Sequence, residues 1–340
     1  MTSRFDLAAA ELSARPRRWL VTGGAGFIGS HLVQWLLAHR QHVRVLDDYS
    51  TGTRENLDDV RAQVDGDAWA HCEIVTGDIR DAATCRLAAE DRELVLHQAA
   101  LGSVPRSIEH PADTHAVNVD GTVNVLLAAR EAGVRSVVFA SSSSVYGDDT
   151  SPAKREDTLG RPLSPYAVSK RVGELYAESY HRVYGLRTVG LRYFNVVGPR
   201  QSPTGPYAAV VPRWIAALAA GQRPVVFGDG STSRDFCPVA NVVQANVLAA
   251  LASDEAMGRV FNVALGRKTT LLELFAALRA AMVERGAPCA RVEPLHEEFR
   301  GGDVRHSLAD VRMARESLGY EPRVDLAEGL ALALAAGGRT

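Results

Sequence analysis

The chain is poor in lysine and cysteine and carries no strong charge of either sign. Among its 340 residues, 38 basic side chains face 40 acidic ones, a net charge of −2, with 46% hydrophobic and 23% charged residues. This balance excludes disordered or collagen-like chain and argues against nucleic acid as the main partner. Apolar runs are short. Ala245 to Ala252 and Leu326 to Ala336 fall well below the roughly 20 residues that span a bilayer, so no integral membrane protein is expected. Cys72, Cys85, Cys237 and Cys289 stand far apart with no C-x-x-C pair, which indicates neither a disulfide framework nor a zinc site. The ten histidines lack ligand spacing: His39 with His42, and His296 with Glu297 and Glu298, read as surface, and no metal is expected. Arg15, Arg17 and Arg18 are followed by Trp19-Leu20-Val21-Thr22-Gly23-Gly24, too short and glycine-rich for a signal h-region, so a reducing cytoplasmic location is expected. Lysine occurs only at Lys154, Lys170 and Lys268. Arginine serves wherever a plain positive charge suffices, so a lysine here asks for a reason.

What is present is alternation of strand and helix. Trp19–Thr22 reads as a buried strand, Gly29–His39 as a helix with Ile28, Leu32, Leu36 and Leu37 on its apolar side, and Val43–Leu46 as the next strand. Further strands are expected at Glu73–Val75, Leu94–Leu96, Val137–Ala140 and Thr188–Leu191, with helices at Asn118–Ala132 and Tyr166–Tyr184. Such spacing implies an α/β fold with a doubly wound parallel sheet. After Phe194 the texture changes. Pro199, Pro203, Gly205, Pro206 and Pro212 crowd one stretch and Gly228-Asp229-Gly230 opens another, which reads as a smaller lobe, with Val242–Leu251 returning to the first domain. Residues 1–15, with Phe5, Leu7 and Leu12, have the pattern of a short amphipathic helix before Pro16.

Gly23-Gly24-Ala25-Gly26-Phe27-Ile28-Gly29 follows the first strand and opens the first βαβ helix. Glycines three apart allow a tight turn, close approach to a pyrophosphate and close helix–strand packing, and the helix N-terminus offers N–H groups to the anion. Asp47, 21 residues after Gly26, ends the second strand where a carboxylate accepts from adenosine ribose hydroxyls. Asp48 adds a second negative charge, and both would repel a 2′-phosphate, which favours NAD over NADP. Gly77-Asp78-Ile79 after the third strand is placed to flank the adenine or to form a plain turn.

Tyr166-Ala167-Val168-Ser169-Lys170 begins a helix just after Pro165, and a spacing of four stacks Tyr and Lys on one face. A neighbouring ammonium and a positive nicotinamide ring would pull the phenol from about 10 towards neutrality and make it a usable base. Lys170 supplies a slim ammonium able to reach a ribose where a planar guanidinium would not. Upstream, the strand ending at Ala140 runs into Ser141-Ser142-Ser143-Ser144, hydroxyls at the end of a parallel strand where ligands of such sheets bind.

Taken together, these residues resemble the extended short-chain dehydrogenase/reductases, the NAD-dependent epimerase/dehydratase family, and within them the nucleotide-sugar 4-epimerases. The likeness covers nearly the whole chain. It rests on Gly23-x-x-Gly26-x-x-Gly29, the serine run, Tyr166-x-x-x-Lys170, Arg192-Tyr193-Phe194-Asn195-Val196, Ser233-Arg234-Asp235-Phe236 and Arg300-Gly301-Gly302-Asp303. Two segments, Gln98–Ser107 and Gly302–Asp310, look most like the UDP-N-acetylglucosamine 4-epimerases of bacterial surface-polysaccharide pathways. The resemblance implies a Rossmann domain over residues 1–195 and 237–264 that binds NAD through the glycine loop, Gln98, Ala99, Ala100, Lys170 and Tyr193. It also implies a nucleotide-sugar lobe over 196–236 and 265–340. Ser142 would share the proton of the C4 hydroxyl with the base Tyr166. Asn195 and Arg234 would hold the diphosphate, with Arg300 and Asp303 on the nucleotide side, and Gly102, Ser103, Ser143, Ser144, Gln201, Ala209, Val210 and Ser307 would surround the substrate. Position 48 is Asp where many relatives have Asn, and Gly102 stands where glucose-type epimerases carry a lysine.

The reaction so implied is reversible inversion at C4 through a 4-keto sugar, NAD taking the hydride and giving it back. Small residues at Gly102, Ala209 and Ser307 leave room for an acetamido group, so UDP-N-acetylglucosamine and UDP-N-acetylgalactosamine are expected ahead of UDP-glucose and UDP-galactose. Three alternatives stand beside this: a UDP-uronic acid 4-epimerase, a nucleotide-sugar dehydratase, and a non-catalytic NAD-binding regulator. Dehydration needs an Asp-Glu pair beside the catalytic hydroxyl where this chain has serine, and a regulator commonly lacks the Tyr or Lys. The family also implies a homodimer through the two helices Asn118–Ala132 and Tyr166–Tyr184, with Val125 and Val172 either on that face or in the core.

Overall fold

The computed structural model describes residues 2–203, 208–299 and 304–337. Helix α1 (Arg4–Ala14) precedes strand β1 (Arg18–Thr22), helix α2 (Phe27–Ala38) and strand β2 (His42–Asp47). Next come β3 (Cys72–Thr76), β4 (Leu94–His97), α3 (Gly121–Glu131), β5 (Ser136–Ser142), the 20-residue α4 (Pro165–Tyr184) and β6 (Thr188–Tyr193). The remaining large elements are α5 (Val210–Ala219), α6 (Val239–Ala250), β7 (Arg259–Val263), α7 (Leu271–Val283) and α8 (Leu326–Gly337).

These strands form a seven-stranded sheet in the order β7-β6-β5-β4-β1-β2-β3, with every pair parallel. The chain order reverses between β1 and β4, which opens a crevice at the carboxyl ends of the strands. Both faces are covered, and the apolar residues divide accordingly. Trp19, Val21, Leu32, Leu36, Val138 and Val242 pack in one layer with α2 and α6, while Leu20, Val95, Val125, Val137, Phe139 and Ala177 pack in the other with α3 and α4. Val125 is thus core, whereas Val172 is half-buried. A separate core of Val197, Trp214, Leu218, Phe275, Leu278 and Leu330 holds α5, α7 and α8 together. Ala314, Leu318 and Tyr320 join the α2/α6 layer of the sheet rather than that core.

Two expected elements carry more detail than periodicity gives. The first residues do form a helix, capped by Ser3 and Asp6 in a reciprocal box. It buries Leu12, packs Phe5 against Trp35 with ring centroids 5.5 Å apart and pairs Asp6 with Arg323 at 2.6 Å. The helix expected from Asn118 begins instead with a π turn, Ala116–Asp120. There the Asn118 carboxamide accepts from Leu101 N at 2.8 Å and donates to Ser169 Oγ at 3.0 Å, tying the loop after β4 to α4. No described helix is long and apolar enough to cross a membrane.

Candidate active site

The loop between β1 and α2 is held tight by atoms that leave no room for side chains. Gly23 adopts φ 68°, and a Cβ at Gly29 would meet Gly23 O at 2.0 Å. Gly26 is the N-cap of α2 and no side chain caps it, so the first N–H groups of the helix are left to a ligand anion. At the end of β2, the buried Asp47 accepts from Ala25 N of this loop and from Tyr49 N, both at 2.9 Å. Burial pushes its carboxyl upward, and those two backbone bonds oppose the shift. The neighbouring Asp48 is exposed and accepts from Ser50 N and Oγ at 2.9 and 2.7 Å.

Every residue expected at the dinucleotide lines one cleft of about 290 Å³: the glycine loop with Phe27 and Ile28, Asp47 and Asp48, Gly77 to Ile79, Gln98 to Ala100, Tyr166, Lys170 and Tyr193. A backbone cradle that a Cβ would fill, an open helix N-terminus and a carboxylate 21 residues on fit a dinucleotide with a free ribose 2′-hydroxyl. Tyr193 Oη donates to Gln98 Oε1 at 3.0 Å and accepts from Asn246 Nδ2 at 2.8 Å, fixing the ring at the floor of the cleft.

Helix α4 starts where Ser164 Oγ accepts from Ala167 N at 3.1 Å and Pro165 takes the first helical position, so Tyr166 and Lys170 enter the cleft from its first turns. Lys170 Nζ donates to Ala140 O at 2.9 Å, and burial draws the ammonium down to about 8 against the opposing charge of Glu174. The phenol of Tyr166 is buried in the protein alone. Burial pushes it above its usual value, and only a hydrogen bond with Ser142 works the other way. Desolvation of the buried phenol is the larger of the two effects. Ser142 Oγ, at the end of β5, also accepts from Ser144 Oγ at 3.0 Å, and Ser143 opens the 3₁₀ turn Ser143–Tyr146.

The residues expected around the substrate are not all brought together. Asn195, Val210 and Arg234 line a second cleft of about 280 Å³, and Ala209 is the N-cap of α5 beside it. Ser307 N donates to Ser233 O at 3.1 Å, next to Arg234. Gly102 lines the dinucleotide cleft, and Ser103, at φ 136°, caps the short helix Val104–Glu109. Gln201 lies elsewhere: the left-handed Arg200 turns the chain, and Gln201 lines a third cavity with His31 while donating to Val196 O at 3.2 Å. Arg300 and Asp303 lie outside the described residues.

Several residues escaped the sequence reading. Arg213, Trp214, Arg223 and Phe227 share the second cleft with Arg234. On α4 itself, Glu174 pairs with Arg192 of β6 at 2.8 Å, both side chains 1% exposed. A signal for Glu174 existed, since it stands four residues beyond Lys170 and eight beyond Tyr166. The rare Lys154 also has its reason, a buried ion pair with Asp149 at 3.0 Å.

This geometry agrees with the comparisons to known proteins. Residues 19–264 match the model of the NAD dependent epimerase/dehydratase family, and the chain belongs to that family of NAD-dependent enzymes. It is 44% identical over 316 residues to a UDP-glucose 4-epimerase of Mycolicibacterium smegmatis, covering 92% of this chain and 96% of the other. It is 38% identical over 313 residues to a putative UDP-glucose 4-epimerase of Methanocaldococcus jannaschii, covering 92% and 95%. Among solved structures, the UDP-N-acetylglucosamine 4-epimerase of Methanobrevibacter ruminantium in complex with UDP-N-acetylmuramic acid superposes with a TM-score of 0.86 at 35% identity, covering 95% of this chain and 98% of that one.

Proposed function

We propose that the chain is an NAD-dependent UDP-sugar 4-epimerase whose preferred substrates are the N-acetylated hexoses. The observation that carries this is the hydrogen bond of Ser142 with Tyr166, which lines the dinucleotide cleft, with an arginine-bearing second cleft beginning at Asn195, two residues beyond Tyr193. Bound NAD supplies a reversible hydride acceptor and a positive ring beside the phenol. Tyr166 holds and returns the C4 hydroxyl proton, with the Ser142 hydroxyl bridging phenol and sugar. Lys170 keeps positive charge under the cleft and meets a ribose hydroxyl. Asn195, Arg234, Arg300 and Asp303 grip the UDP end, whose phosphates suit guanidinium forks. Ser143, Ser144 and Gly102 touch the hexose only lightly, which lets an oxidised sugar turn between its two faces while the nucleotide stays fixed. Serine beside Ser142 also argues against dehydration, which needs a further acid and base there.

The acetamido preference rests on Ser307, Gly102 and Ala209, small residues where a larger side chain would fill the space at C2. The test is to incubate the purified protein with UDP-N-acetylglucosamine, UDP-glucose and UDP-glucuronic acid in turn and identify each product by chromatography. Conversion to the 4-epimer, fastest with the acetylated sugar, is expected, and a dehydrated or decarboxylated product refutes the reading. Ser307→Tyr should abolish the acetylated reaction by overlap and leave the plain hexose reaction within a few-fold. Equal loss of both in a folded variant removes Ser307 from the pocket wall.

A further inference from the structure

We propose that Glu174 is a positioning residue of the reaction, its buried carboxylate fixing the catalytic ends of β5, β6 and α4 against one another through Ser141 and Arg192. The proposal rests on the reading of Tyr166, Ser142 and Lys170 given above. A carboxylate offers about four acceptor positions, and here four are filled. Oε1 accepts from Ser141 Oγ at 2.6 Å and from Arg192 Nε at 2.8 Å. Oε2 accepts from Arg192 Nη2 at 2.9 Å and from Arg171 Nη1 at 2.8 Å.

The register makes these contacts consequential. Ser141 pairs with Arg192 across β5 and β6, and the next rung pairs Ser142 with Tyr193. One anion on α4 therefore clamps the rung immediately below the one that presents the Ser142 and Tyr193 hydroxyls, and does so from the same helical face that carries Tyr166 and Lys170. The tie extends further. Arg192 Nη1 donates to Tyr146 Oη at 3.0 Å, and Tyr146 donates to Asn262 Oδ1 on β7 at 2.7 Å.

For stability alone, a buried ion pair is replaceable by well-packed apolar residues. Apolar packing does not fix the distance between a strand end and a helix to a fraction of an ångström, and misplacement of a reacting group by about 1 Å costs on the order of 10²-fold in rate. Ser141 Oγ is the direct link, because it joins Glu174 to the residue preceding Ser142.

The test compares Ser141→Ala and Glu174→Gln with Tyr166→Phe, all assayed on the UDP-sugar that the unmodified protein epimerises. Thermal melting and the dinucleotide content of each preparation are measured alongside kcat and KM. Ser141→Ala leaves the ion pair intact, so it should fold, keep its NAD and show KM within two-fold, with kcat lower by about 10-fold. Glu174→Gln keeps one acceptor oxygen of the carboxylate's two and turns the other into an NH2 donor, so its kcat should fall further, with little added by combining the two substitutions. If Glu174→Gln does not fold, Ser141→Ala decides alone. A folded Ser141→Ala with kcat within two-fold, beside an inactive Tyr166→Phe, overturns the positioning role and leaves the catalytic reading standing. Loss carried by KM with kcat unchanged also overturns it. Full activity in Tyr166→Phe overturns the reading of the site and the positioning role with it.

Discussion

The three motif glycines are not equivalent, and substituting them one at a time separates folding from cofactor binding. A Cβ at Gly29 would stand 2.0 Å from Gly23 O, 2.8 Å from Gly23 C and 2.8 Å from Gly24 Cα, all backbone atoms that no rotamer change moves aside. Real Cβ atoms essentially never come within 3.0 Å of such neighbours, so α2 and the loop must part by about 1 Å. Overpacking of this kind costs about 1–3 kcal/mol. At roughly 2 °C per kcal/mol the melting temperature of Gly29→Ala should fall by about 2–6 °C, and bound NAD should be lost as the cradle opens. Gly26 is different. It has φ −76°, which alanine adopts freely, and the one atom near its added Cβ is Gly23 O at 3.2 Å. Gly26→Ala should therefore melt within about 2 °C of the unmodified protein when both are stripped of dinucleotide, an N-cap Gly-to-Ala change being worth under about 1 kcal/mol. Its methyl nevertheless lines the cleft where a pyrophosphate must approach, so it too should purify without NAD. The assay is to denature each preparation, quantify dinucleotide in the supernatant, and record melting with and without added NAD. The unmodified protein should carry NAD. Gly29→Ala with unchanged melting and full NAD refutes the close-approach argument, and Gly26→Ala with full NAD refutes the assignment of this loop to the pyrophosphate.

Lys170→Arg should lose about 10²-fold in turnover despite keeping its charge, because a planar fork cannot reproduce a point donor seated on Ala140 O, and steady-state kinetics showing a loss under three-fold contradict this. Burial alone would push the Glu174 carboxyl up, but the hydrogen bonds and charge of Arg192 outweigh it and hold it below its usual 4.5. A lowered carboxylate contributes stability above the unfolded value and loses it as pH falls through the folded one, so the urea-midpoint gap between Glu174→Gln and the unmodified protein should shrink below pH 4.5. A gap of equal size at pH 7 and pH 3 refutes that linkage. Helix α4 exposes Val168, Leu175, Tyr176 and Val183, an apolar face suited to a symmetric partner, so light scattering at micromolar concentration should give a dimer and Leu175→Glu a monomer. A monomeric mass for the unmodified protein refutes the pairing.

What the sequence made legible was whatever a few consecutive residues determine. The glycine loop, its flanking strands and the Tyr166–Lys170 spacing are local patterns, and local patterns survive without knowledge of the fold. The roles proposed for Asn195 and Arg234 rest on family likeness alone, since nothing in their neighbours marks them for phosphate. The polar residues that passed unnoticed are bound by long-range pairing: Glu174 with Arg192 18 residues on, Asn118 with Ser169 51 residues on, Tyr146 with Asn262 116 residues on. His97 is the same kind of case. Burial takes its imidazole down to about 3, and the neutral ring spans Thr22 Oγ1 at 2.7 Å and Thr122 Oγ1 at 3.0 Å, a role its place in an apolar strand does not announce.

Glu174, Asn118 and His97 share a location, under the crevice between the sheet and helices α3 and α4. A low-dielectric layer there strengthens each paired contact and penalises each unpaired one, so the fully bonded arrangement is strongly favoured over near neighbours. The open side of the crevice is built the opposite way. On the proposed reading, the small residues Gly102, Ala209 and Ser307 would give a sugar space and few fixed contacts. Inversion at a single carbon needs that division: hydroxyls and ammonium held rigidly from below, and a hexose free to present either face to them from above.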